Sequence, residues 1–318
     1  MNVRDLVLRL RGAPVDPSRF EICTRLERCF LARGPSGRPA LLVPCGESTP
    51  AAVGRATGAI LVRYQSQVAF DVDGSSWTAP AVVLECLDDG VLHTFIALAL
   101  DLDAQLAASA PAPTVAAVLR GLATWERLLR SRTALSEERQ VGLWGELEFI
   151  RSAPSVDGAI RAWNPDPSGT IDFVAGGTGI EVKTTTTRLR HSISQRQGQA
   201  TGGNVRLLVA SLWVVHDAVG RSLAALVDAI GESAAEAVAF EQKLLAAGFS
   251  RRDADAYSRR FAVGAPFLFF DATALPRIRA FDPGISSIRY VVELDASDAL
   301  PEGEARAAVA AVTAAPLA

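Results

Sequence analysis

Lysine is almost missing from this chain: of 32 Lys and Arg residues, only Lys183 and Lys243 are lysines. Histidine is nearly as scarce, and His93, His191 and His216 offer no H-x-x-x-H spacing, so a zinc-hydrolase site has no support. The four cysteines, Cys23, Cys29, Cys45 and Cys86, contain no C-x-x-C pair and read as structural thiols in a reducing cytoplasm. No run approaches the roughly 20 apolar residues that cross a bilayer, which argues against a membrane protein. The N-terminal "MNVRDLVLRLRGAP" lacks the uninterrupted apolar core of a signal peptide. A cytoplasmic location is therefore expected.

Acidic residues are missing from one stretch. Between Thr184 and His216 there is no Asp or Glu, while Arg188, Arg190, Arg196 and Arg206 fall inside it. Although the whole chain carries a net charge of −3, this local excess of positive charge suits a polyanion. A solvated basic face explains the same residues equally well.

What is present is a normal globular balance, 49% hydrophobic and 21% charged over 318 residues, enough for two domains. From about Arg19 to Asp103 the segments "ALLVPC", "AILVRYQ", "QVAFDV", "AVVLECL" and "LHTFIALAL" read as strands, with turns at 34–37 and at Asp73-Gly74. An antiparallel β-rich module over 1–106 is expected, as a sheet or small sandwich. "AASAPAPT" reads as a linker ending in a helix cap at Thr114, and residues 107–135 as linker and connecting helix. A second helix is expected over about Ser136–Ser152. "AIRAW", "IDFVA" and "IEVKT" then read as three strands, the last two joined by a glycine-rich hairpin turn at 176–179. The strand "VRLLVASLWVV", helical patterns near 221–232 and 234–248, the strands "APFLFFDA" and "SIRYVVEL", and an Ala-rich helix from Glu302 complete an α/β domain with a mixed sheet over 136–318.

Side chains alternate along a strand, so Glu181 and Lys183 share one face of "IEVKT" while Ile180 and Val182 take the other. If the hairpin closes, Asp172 lies near that polar face. Two carboxylates can hold Mg²⁺, which keeps other positions for water and a phosphate oxygen. A nearby ammonium can orient the attacking water and stabilise developing charge. E-x-K on a strand is often plain surface electrostatics, but these strands are otherwise apolar, where unpaired charge is costly. The chain uses arginine wherever a generic positive charge suffices, and a guanidinium cannot easily replace an ammonium in proton transfer.

The string "GLWGELEF" on a helix, followed by D-(x)8-E-V-K and "HSIS", resembles the PD-(D/E)XK nuclease superfamily. More narrowly, it resembles the bacterial PD-(D/E)XK motif proteins that tend to accompany restriction and phage-defence genes. The resemblance implies a restriction-endonuclease-like core: a mixed central sheet flanked by helices. It implies Asp172 and Glu181 as metal ligands, Lys183 as catalytic lysine and Glu146 as auxiliary acid, with Mg²⁺ as cofactor and Mn²⁺ as a substitute. Helical geometry alone does not choose between Glu146 and Glu148, which flank the stripe Leu143, Leu147, Ile150 on opposite sides. Asp166, in the literal "PD" at 165–166, is a rival to Asp172, but "NPDPSG" is turn chemistry. Gln195, Gln197 and Gln199 give no clean match to the family's glutamine.

The expectation is a Mg²⁺-dependent nuclease acting on nucleic acid, foremost a DNA endonuclease of a defence system. Arg188, Arg190, His191, Ser194 and Arg196 would contact it, and a homodimer or partner subunits of a defence complex would fit. Two other readings stay open: a non-catalytic nucleic-acid-binding or scaffolding subunit with the same fold, and an interaction protein in which the trio is an ion-pair network.

Overall fold

The computed structural model describes residues 3–11, 16, 18–45, 54–57, 59–72, 75–109, 113–128, 135–165, 171–194, 205–278 and 288–314. Asp73-Gly74, Asp166, Gln195, Arg196, Gln197 and Gln199 lie outside them. The chain divides into two compact units, Met1–Thr133 with Ser250–Arg252, and Ala134–Phe249 with Asp253–Ala318.

In the first unit, helix α1 (Val3–Leu10) buries Val3, Leu6, Val7 and Leu10, the i, i+3, i+4, i+7 stripe of an amphipathic helix. Strands β1 (Phe20–Arg25), β2 (Phe30–Arg33), β3 (Pro39–Pro44), β4 (Gly54–Thr57), β5 (Ile60–Val72) and β6 (Ser75–Cys86) follow. Their order is β1-β2-β3-β6-β5-β4, and β1 also pairs in parallel with β5 through Phe20–Phe70 and Glu21–Asp71. That pairing closes β1, β2, β3, β6 and β5 into a ring. The first unit is therefore a closed five-stranded barrel, with β4 paired to the Ile60–Arg63 end of β5, not an open antiparallel sheet or sandwich. Phe20, Leu42, Val68, Phe70 and Val83 share its core.

"LHTFIALAL" is not a strand. It opens helix α2 (Leu92–Ala108), started by a helical turn that Asp88 caps by accepting from the Gly90 N–H. Both faces of the segment are apolar, so periodicity could not separate a buried strand from a buried helix. Together, Asp89–Ala108 is long and apolar enough by composition to span a bilayer, contrary to the reading of the sequence. Here it is a core helix. Its Asp103 carboxylate accepts from the Glu27 and Arg28 N–H groups of the β1–β2 turn at 3.1 and 2.7 Å. Asp101 accepts from the indole of Trp125 on helix α3 (Val115–Leu128), which Thr114 caps.

In the second unit, helix α4 (Glu137–Ser152) has Ser136 as its N-cap. Helix α5 (Val156–Ala162) occupies the place where "AIRAW" reads as a strand. Ser155 decides this by accepting from Gly158 N at 3.0 Å and nucleating the first turn. Strands β7 (Phe173–Ala175), β8 (Thr178–Thr185), β9 (Arg190–Ser194) and β10 (Arg206–Ser222), helices α6 (Leu223–Ser233) and α7 (Ala237–Ala247), strands β11 (Arg260–Asp271) and β12 (Arg289–Glu293), and helix α8 (Glu302–Thr313) complete it. The main sheet runs β11-β10-β8-β7, with β8–β10 parallel and the other pairs antiparallel; β9 and β12 form a separate ribbon. This is the expected mixed sheet. Gly176 and Gly177 both have positive φ (57° and 75°), as a two-residue hairpin turn between right-twisted strands requires.

Lys243 on α7 donates to the Ile160, Arg161 and Trp163 carbonyls, so three open acceptors at the end of α5 meet one three-donor ammonium. Burial lowers its pKa to about 8.

Candidate active site

The site forms where β7 stops. β7 pairs with β8 only from Phe173–Ile180 to Ala175–Thr178, and no described strand continues beside Val182. Asp172, the residue just before β7, fills the gap: its Oδ2 accepts from the Val182 N–H at 2.7 Å. The sheet edge is thus finished by a carboxylate. Ile180 and Val182 join the core beneath α4, while Glu181 and Lys183 turn to the other side and form an ion pair, Nζ to Oε1, at 2.8 Å.

Glu146 reaches the same place from α4. Gly145 lets it: a Cβ there would stand 1.7 Å from the Thr184 hydroxyl oxygen and 2.8 Å from Thr184 Cβ, so only glycine allows α4 this close to β8. The Glu146 carboxylate then accepts from the indole N–H of Trp163 at 2.7 Å. Glu148, its rival in the sequence, is buried and paired with Arg151. Asp172, Glu181, Lys183 and Glu146 line one open pocket of about 650 Å³, whose other walls include Gly142, Thr185–Thr187, Arg190, His191 and Val291.

Electrostatics mark this pocket as strained. Burial and then the neighbouring Glu146 and Glu181 raise Asp172 well above the usual carboxylate range. Burial raises Glu146 to about 7, with Glu181 adding to it and the Trp163 hydrogen bond opposing it. Burial raises Glu181 too, against the pull of Lys183. Mutually repelling carboxylates in one pocket are what a divalent cation relieves. The donor set fits Mg²⁺ through two carboxylates with open positions for water. Among the described residues, no group of three or more His, Cys, Asp or Glu is drawn tight enough to hold a metal unaided.

The expected nucleic-acid contacts separate. Arg190 is exposed on the pocket wall, 4.0 Å from Glu293. Arg188 is exposed, its guanidinium 6.0 Å above the Trp213 ring. His191 is buried, shares a 2.7 Å hydrogen bond with Ser211, and has a pKa lowered to about 4 by burial and by Lys183. Its hydrogen bond to Ser211 fixes it in the pocket wall. Ser194 ends β9, and Arg196 lies outside the described residues. Arg206 is spent on Asp271 and Glu304.

Three contributors were not found in the sequence. Trp163, Ser211 and Thr184 act through partners 17, 20 and 39 positions away. Only the unusual G-x-x-G of "GLWGEL" hinted at close approach.

No curated protein and no solved structure matches the chain significantly. A family model described as "Putative PD-(D/E)XK family member, (DUF4420)" matches residues 21–295. With that match covering most of its length, and with the D…E-x-K residues brought to one sheet edge, the chain belongs to this family of PD-(D/E)XK-type proteins.

Proposed function

We propose that the protein is a Mg²⁺-dependent nuclease that hydrolyses phosphodiester bonds, foremost in DNA. The observation that carries this reading is the convergence of Asp172, Glu181, Glu146 and Lys183 on one solvent-open pocket. Asp172 and Glu181 would hold the ion, with Mn²⁺ as a substitute, and Glu146 would assist. A bound divalent ion supplies an acidified water and draws charge from the phosphorus. Lys183 orients that water and offsets charge on the phosphate. The acids Glu138, Glu146, Asp172 and Glu181 outnumber the cations Lys183 and Arg190 around the pocket, so a bound divalent ion would favour the approach of a polyanion. Arg188 and Arg190 supply backbone contacts, which position nucleic acid without reading its sequence. A place in a restriction or phage-defence system rests on the resemblance of the motifs alone.

The test is incubation of supercoiled plasmid and of single-stranded DNA with Mg²⁺, comparing wild type, Lys183→Ala and Asp172→Asn. Cleavage of at least one of the two by wild type only is the expected result. The Glu181–Lys183 ion pair also suits a non-catalytic, nucleic-acid-binding scaffold. That reading gains if all three proteins shift DNA in a gel equally, with or without Mg²⁺, and none cuts it.

A further inference from the structure

Gly142 occupies the middle of α4, on the face that lines the pocket. Glycine is among the poorest helix formers, and in a helix it usually marks a close approach. Gly145, one turn on, has such a reason in Thr184. Gly142 has none among the described residues: a Cβ placed there meets no described atom within 4 Å. The space it leaves opens into the pocket.

The surroundings say what fits. Glu138 and Glu146, four residues to either side, stand on the same helix face and would repel a phosphate. Val141 and Val291, the latter 56% exposed, add apolar surface nearby. Arg190 is the cation on the β9 wall, and the exposed Glu138–Arg289 pair at 3.6 Å ties α4 to β12 at the rim. The cavity, about 650 Å³, is of small-molecule size. In a duplex the base faces are stacked and hidden, so only an unpaired nucleotide can present one to this wall.

Building on the nuclease reading, we infer that the Gly142 wall receives the base and sugar of a single unpaired nucleotide, whose phosphate lies toward Arg190 and Lys183. The substrate is then single-stranded DNA, or a duplex with an unpaired or flipped position.

The test uses a fluorescent single-stranded oligodeoxynucleotide and the blunt duplex of the same sequence. Binding is read by anisotropy in Ca²⁺ and cleavage in Mg²⁺, for wild type, Gly142→Ala, Gly142→Leu and Gly303→Ala. Gly303 also has an open Cβ position, but in α8 and outside the pocket lining, and controls for helix propensity. Expected are at least ten-fold tighter binding of the single strand than of the duplex, and at least a ten-fold loss in Gly142→Leu. Gly142→Ala should melt no lower than wild type, and Gly303→Ala should bind as wild type does. Equal binding of duplex and single strand, no binding of the single strand, or wild-type affinity in Gly142→Leu overturns the inference. Tight single-strand binding without cleavage in Mg²⁺ or Mn²⁺ instead sinks the nuclease reading and leaves the wall's role standing.

Discussion

Glu146 illustrates how one side chain ties stability to pH. Its carboxyl titrates near 4.5 when unfolded and near 7 in the fold, because burial and Glu181 disfavour its charge. Between those values the folded state keeps a proton that the unfolded state has lost, so stability falls as the pH rises through that window. The shift corresponds to about 3 kcal/mol. In EDTA, Glu146→Gln should therefore melt higher than wild type at pH 8 and equal to it at pH 4.5, and Mg²⁺ should stabilise wild type most at pH 8. A melting series across this range, with and without Mg²⁺, checks both. The acids themselves were legible in the sequence, because D…E-x-K is contained in one hairpin. Their neighbours were not: Trp163, which donates to Glu146, lies beyond a helix that reads locally as a strand.

Elements fared by the strength of their end signals. α4, with Ser136 at its start, and α3, with Thr114, lie where their caps place them. α2 and α5 read locally as strands, since short apolar runs carry no decisive period and only the caps Asp88 and Ser155 mark the helices. Closure of the barrel hangs on one parallel pairing between β1 and β5, some 50 positions apart, which no local pattern announces. At this scale the contact between α4 and β8 is the one to probe. Gly145→Ala forces a methyl into Thr184 and should cost about 1–3 kcal/mol in urea unfolding. Thr184→Ala should recover part of that loss, and cleavage by Gly145→Ala should fall with the displaced Glu146.

For the molecule as a whole, lysine use follows a rule. An arginine serves at almost every cationic position; Lys183 stands in the pocket and Lys243 caps the end of α5, both places where a compact three-donor group is needed. A metal that binds the folded site stabilises the chain by mass action. In hydrogen exchange, Mg²⁺ should slow amides in 137–152 and 171–185 first, and Asp172→Asn should erase that protection. Unchanged exchange in those segments would leave the pocket without a cation role.

The shortness of β7 bears on how such variants are built. A bare strand rim invites another chain to zip onto it, and here the Asp172 oxygen occupies the amide that would start the process. Asp172→Ala strips that guard and should enlarge into oligomers in light scattering, whereas Asp172→Asn retains an acceptor and should stay monodisperse. Inactivity in the alanine variant would then report clumping as much as chemistry.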